Sequence, residues 1–145
     1  MSPTIEPAPL PTPSIRRRLA SMLYESVLLI GVVFFGFLVP NIAFGMAVHR
    51  LPPNVILLLH AILILAAYFL WFWRRNGRTL AMQTWKIRLR SADGTDPSDR
   101  QLLWRFLLAW PSIFVLGAGL IWAVFDRDRQ FLHDRLAGTR LVFTG

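Results

Sequence analysis

Three runs of the chain carry no charged side chain: Ser26 to Val48 and Leu51 to Trp73, each of 23 residues, and Phe106 to Phe125, of 20. A helix crosses the hydrocarbon of a bilayer in roughly 20 apolar residues, so each run is long enough to span. Core helices of a soluble domain would carry polar residues at a 3.6-residue period, and these runs have almost none. The runs therefore predict an integral, all-α membrane protein. At 145 residues there is room for one such domain and for no catalytic domain beside it.

The chain is basic, with 16 Lys and Arg against 8 Asp and Glu. Those basic residues flank the apolar runs, where they meet anionic headgroups. The charge thus predicts the lipid bilayer as a partner and excludes nucleic acid. The absence of cysteine excludes disulfides, thiolate zinc sites and thiol catalysis. Residues 1–14 include five prolines and are expected to form a disordered tail, leaving 15–145 as a single membrane domain. The first apolar run is too long for a signal peptide and is expected to stay as an anchor.

Span one is expected from about Leu19 to Val39, ending at Pro40-Asn41, with Ile42 to Asn54 as a loop. Span two follows from Val55 to Trp73, closed by the aromatic belt Tyr68 to Trp73, by Arg74-Arg75 and by Gly77. Trp71, Trp73, Trp104, Trp110 and Trp122 read as interfacial anchors. Between the second and third runs, Trp85, Ile87 and Leu89 alternate with Lys86, Arg88 and Arg90, which predicts a half-buried strand before a turn at Ala92-Asp93-Gly94. Thr139 to Phe143 alternates in the same way. A lone strand is unstable in water, so the two are expected to pair in a small cytoplasmic two-stranded element.

That pairing constrains topology. Arginines cluster before span one, between spans two and three and after span three, while the loop between spans one and two carries only His49 and Arg50. The positive-inside rule places the N-terminus in the cytoplasm of a bacterial inner membrane. A third complete span would put the basic C-terminal tail outside and separate the strands. Pro111-Ser112 offers a way out, by breaking the third segment into a re-entrant or kinked piece.

Glu25 lies about six residues inside span one, roughly 9 Å deep, where a carboxylate costs about 2–3 kcal/mol. Two readings stand: it binds an ion or proton, or it is a structural group hydrated at the interface or paired with an arginine such as Arg105. Arg18 and Ser21 lie on the same face. His60 is expected to hydrogen-bond a neighbour and not to ligate a metal or haem. His133-Asp134 reads either as a proton shuttle or as a turn-fixing pair. Gly31 with Gly36, and Gly117 with Gly119, suit close helix packing. The sequence lacks a phosphate loop, a catalytic triad and carboxylates at metal spacing, so neither an enzyme nor a cofactor is expected.

Arg18, Glu25 seven residues later, GRTLAMQTWKIRL after the second run and FDRDRQFLHDRLAGTRLV near the end together resemble the RDD family of bacterial membrane proteins. The family is named for an arginine at the start of its first helix and for two aspartates. Arg18 matches the arginine. Glu25 stands in place of the first aspartate, keeping the charge on a longer arm. Asp134, with Asp126 as the alternative, matches the second. Ala81 stands where a second glycine is expected. The resemblance implies a membrane protein and, for function, transport, in a family whose members are mostly uncharacterised.

Two functions follow as expectations. In one, a homo-oligomer transports an ion or small solute, with Arg18, Glu25, Asp126, His133 and Asp134 binding an ion or proton. In the other, the protein is a non-transporting accessory or scaffold that docks a membrane-protein partner or anionic lipid.

Overall fold

The computed structural model describes residues 11–114, 118–126 and 130–145. Most of them are helical. In order they form α1 (Ile15–Val33), a π-helical turn (Phe34–Leu38), α2 (Val39–Val48), α3 (Asn54–Asn76), α4 (Leu80–Thr84), β1 (Ile87–Ser91), α5 (Asp99–Phe114), α6 (Ala118–Phe125), α7 (Leu132–Ala137) and β2 (Thr139–Phe143). The expected disordered tail falls mainly on residues 1–10, outside the described residues. Its last residues are held: the Ser14 side chain caps α1 by accepting from Arg17 N–H, and the Pro11 carbonyl accepts from Phe143 N–H at 2.7 Å.

The first apolar run does not end at Pro40. α1, the π-turn and α2 form one helical rod from Ile15 to Val48, so most of the expected loop is helix and only His49 to Pro53 connect to α3. The π-turn explains how the proline is accommodated. Proline donates no hydrogen bond and its ring crowds the carbonyl four residues back, which breaks a regular α-helix. Here Val39 N–H bonds to the Phe34 carbonyl five residues back, and the Asn41 side chain covers the Phe37 carbonyl at 2.7 Å. One widened turn thus absorbs the misfit. Asn41 Nδ2 also lies 2.9 Å from His60 Nδ1, the neighbour expected for that histidine.

The rod and α3, of 34 and 23 residues, are long and apolar enough to cross a membrane. They run antiparallel, touching where Gly36 meets Ile64 and where Phe37 meets His60. At the opposite, arginine-rich end, α4, α5, α7 and the sheet pack between and beneath them around Trp73, Met82, Ile87, Leu89, Leu102, Phe106 and Leu141. Trp73 is therefore a core residue, 4% exposed, and not an interfacial anchor.

β1 and β2 pair antiparallel as the alternation requires, with Leu89 opposite Leu141 and Ile87 opposite Phe143. The first strand begins two residues later than expected. Thr79 caps the short α4, Trp85 closes it, and Lys86 turns the chain through a left-handed conformation (φ 56°) before the ladder starts. Gly94 makes the expected turn, with φ 87°.

Pro111 does not end the third helix, because α5 runs through it to Phe114. The junction with α6 falls on residues 115–117, outside the described residues. Both flanks of that apolar run are nevertheless fastened to α7. Arg105 on α5 binds Asp134, and Asp126, just after α6, binds the adjacent Arg135 at 2.6 Å.

Two of the three glycines on the rod, Gly31 and Gly36, have opposite surroundings. A Cβ at Gly36 would lie 3.1 Å from Ile64 Cγ2, whereas one at Gly31 would meet nothing within 4 Å. Gly36→Val is expected to lose about 1–3 kcal/mol by overpacking. Gly31→Ala is expected to gain about 0.5–1 kcal/mol from helix propensity. Thermal unfolding in detergent checks both; an equal effect at the two sites would mean that Gly36 is not a packing contact.

Candidate functional site

The site grows from the first three turns of α1. Arg18, Ser21 and Glu25 follow at intervals of three and four residues, which puts them on one helical face, and all three are buried. The other faces are apolar and open, with Leu23 and Ile30 about 70% exposed (71% and 70%). The helix is inside out by the standards of a water-soluble domain.

Among the described residues, Glu25 forms no ion pair with an arginine. Tyr68 on α3 donates its hydroxyl to Oε1 at 2.5 Å, and Thr79 donates to Oε2. The GRTL segment positions the second donor. Gly77 takes the left-handed conformation (φ 65°) that ends α3, its N–H bonding to the Trp73 carbonyl. The chain then doubles back, so that Thr79 caps α4 and turns its hydroxyl to Glu25. A Cβ at Gly77 would sit 3.1 Å from Arg88 Nε, which adds a steric reason for glycine to the conformational one.

The second half of the site is an ion pair. Arg105 donates through Nε to Asp134 Oδ1 at 2.5 Å, with both side chains buried and Asp134 only 1% exposed. The guanidinium also lies over the Trp73 ring, 4.3 Å from its centre. Asp134 stands in the first turn of α7, a helix that ends at Gly138 in the left-handed conformation (φ 72°). Arg18 lies over the Phe131 ring at 4.6 Å and interacts electrostatically with Asp134. Phe131 in turn stacks on His133.

His133 is buried, with Nε2 3.9 Å from Asp134 Oδ1. Burial pushes its pKa down, and although Asp134 pulls upward, Arg105 adds to the depression, leaving it at about 4. At neutral pH the imidazole is uncharged.

Arg18, Ser21, Glu25, Thr79, Arg105 and His133 share one cavity of about 380 Å³. Four of the expected site residues thus come together, three on the cavity wall and Asp134 behind it, bonded to Arg105. Asp126 stands apart. It accepts from Arg135 and from Gln130 N–H at 3.1 Å and does not line the cavity. Arg18 interacts electrostatically with Asp134. Arg105 pairs with Asp134 and leaves Glu25 to its two hydroxyl donors. Those donors were missed in the sequence because Tyr68 looks like one more ring of an aromatic belt. Thr79 carried a usable signal: a threonine two residues after a helix-ending glycine is placed to cap the next helix. Among the described residues, no three His, Asp or Glu side chains converge as metal ligands.

Removing one partner of a buried ion pair strands the other. Asp134→Asn is expected to lose about 3–5 kcal/mol, whereas Arg105→Met combined with Asp134→Leu is expected to recover most of that loss. Chemical unfolding of the three proteins checks this, and an Asp134→Asn variant as stable as the native chain would overturn it. A second expectation concerns acid. The unfolded chain takes a proton at His133 near pH 6.5, the folded chain only near pH 4. His133 therefore costs nothing above pH 6.5 and removes stability as pH falls towards 4, by about 3 kcal/mol in all. Unfolding midpoints measured between pH 7 and pH 4 should fall less steeply in His133→Gln; an unchanged slope would put the titration elsewhere.

The RDD family model matches residues 12–138, which include both halves of this site. The chain is also 30% identical over 90 residues to an uncharacterized protein, RP437, of Rickettsia prowazekii (strain Madrid E). That match covers 61% of this chain and 50% of the relative, so the chain spans about half the length of the curated relative it matches. No solved structure matches it. With nearly the whole chain matched to that model, the protein belongs to the RDD family.

Proposed function

We propose that this RDD-family protein is a multi-pass protein of the bacterial inner membrane that, as a homo-oligomer, transports an ion or small solute through the cavity at Glu25. The bilayer placement draws support from the inside-out character of α1: a helix that buries Arg18, Ser21 and Glu25 while exposing Leu23, Val27 and Ile30 is stable where the surroundings are hydrocarbon. The arginine-rich end lies in the cytoplasm by the positive-inside rule, and the N-terminus with it. The third apolar segment is re-entrant. A straight helix from Arg105 to Asp126 would hold its ends about 32 Å apart at 1.5 Å per residue. Neighbouring residues of α7 bind both.

The transport reading rests on one observation, the position of Glu25 on the wall of a cavity and, among the described residues, outside any salt bridge. A carboxylate hydrogen-bonded by two neutral hydroxyl groups meets no opposite charge in those contacts and can take a cation from the cavity. One held by arginine has its charge already compensated. Two spans and a re-entrant segment enclose no complete pathway, so the conducting form contains more than one chain. The role is one of binding and passage, without catalysis.

A second reading, a scaffold that docks a partner, draws on the sealed Arg105–Asp134 pair, which fixes the inner end rigidly. Ion and proton flux in proteoliposomes separates the two. The native protein should conduct and Glu25→Gln, nearly isosteric and still folded, should lose at least roughly tenfold in rate, about 1.4 kcal/mol of barrier. Flux absent from both proteins, with a lowered melting temperature in the variant, would leave the scaffold.

A further inference from the structure

The cavity is layered along α1. Arg18, Ser21, Glu25 and Leu29 line it from successive turns, which puts Glu25 about 10 Å from Arg18 along the axis and about 6 Å from Leu29, at 1.5 Å per residue. α3 runs the other way, so Leu65 is the next turn beyond Tyr68, the donor to Glu25. Beyond Glu25 the wall is therefore apolar: Leu29 and Leu65, with Phe69, Phe106 and Trp110 packed ring to ring.

Charge balance alone selects nothing here. Among the described residues, Arg18 and Arg105 on the wall are matched by Glu25 and by Asp134 behind it. What differs is how each group is engaged. Arg105 is paired with Asp134 under the Trp73 ring, and Arg18 lies over Phe131 and interacts with the same carboxylate. His133 is uncharged at neutral pH. Glu25 receives the neutral hydroxyls of Tyr68 and Thr79. On α1, where Arg18 lies two turns farther on, Glu25 is the first charge that a ligand in the apolar part meets.

The wall decides which cation fits that carboxylate. Among the described residues no carboxylates or imidazoles converge as metal ligands, and three aromatic rings stand beside the acid's side of the cavity. Ring faces attract positive charge within about 6 Å, and their carbon packs against alkyl groups. A cavity of about 380 Å³ is the size of a small-molecule site, which spans roughly 300–1,000 Å³. The entrance agrees with this. A second hollow shares Ser26, Leu29 and Leu65 with the cavity and runs along the rod to Phe37 and Leu38, with Ile30, Val33 and Phe34 exposed on its flank. In the proposed placement that flank opens to hydrocarbon, which admits a solute with an apolar body.

We propose that the solute is an organic cation, a quaternary ammonium with an apolar or aromatic body, whose charge rests at Glu25 and whose body lies among Phe69, Phe106 and Trp110. The proposal names the solute of the transport reading above and rests on it.

The test is calorimetric titration of the full chain in neutral detergent. Benzyltrimethylammonium should bind once per chain, whereas benzenesulfonate, one ring with the opposite charge, should not bind. Glu25→Gln should weaken the ammonium at least roughly tenfold, and Glu25→Asp, which keeps the charge, should stay within roughly threefold of the native protein. Leu29→Trp fills the apolar end and should weaken binding as well, which decides the matter if Glu25→Gln does not fold. Val27→Trp, 61% exposed and not on the cavity wall, should change nothing. Equal affinity for the sulfonate, affinity indifferent to both cavity variants, or no binding would overturn the proposal. Flux of protons or inorganic ions without ammonium binding would overturn it too and leave transport standing. Ammonium binding at Glu25 without flux would uphold the site and overturn transport.

Discussion

The pair formed by Arg105 and Asp134 lies at the centre of the packing between two helices far apart in sequence. Arg105 belongs to the apolar α5, and Asp134 to a six-residue helix too short to be stable alone. Desolvating two charges costs several kcal/mol each, and the attraction repays this only with good geometry and additional contacts. Both are present: a short hydrogen bond, the Trp73 face beneath the guanidinium, and Arg18 approaching the same carboxylate. Once α7 is fixed, β2 leaves it through Gly138 directly into register with β1, and Phe131 and His133 become part of the cavity wall. The sheet and the site are thus consequences of one buried contact.

Glu25 represents the opposite solution to the same problem. In the proposed placement Glu25 is an intramembrane acid, and such a group is stabilised by a cation, by protonation or by hydrogen-bond donors. Tyr68 and Thr79 supply the third remedy, one from each side of the turn at Gly77. Two arginines lie on the same cavity wall, yet the nearer structural demand for Arg105 is Asp134. The site therefore divides its carboxylates, one locked by a guanidinium and one held by exchangeable hydroxyls. That division gives Glu25 the chemical freedom that the proposed function requires.

The large features were legible in the sequence because they depend on local pattern. Uncharged runs gave the long helices, and alternation at Ile87 to Arg90 and Thr139 to Phe143 gave the paired strands. What was not legible depends on contacts distant in sequence. The donors to Glu25 lie 43 and 54 residues away, and no periodicity encodes them. Trp73 sits in a belt-like run but turns inward, because α5 and the sheet cover that end of α3. Pro40 was misleading for another reason: the rule that proline ends a helix assumes α-helical bonding, and a single π-turn removes the clash.

That π-turn also bears on the lengths of the two long helices. The 34-residue rod would measure about 51 Å and the 23-residue α3 about 34 Å, against ~30 Å of hydrocarbon. In the proposed placement the excess of the rod lies at its N-terminal end, where Arg18 and Ser21 would otherwise face lipid. Burying that polar face against α4 and the Phe131 ring would remove the mismatch without tilting the helix out of contact with α3. The inner module is therefore more than an appendage. It covers the polar surface that the first helix carries near its N-terminus, and the cavity lies where this cover meets the two long helices.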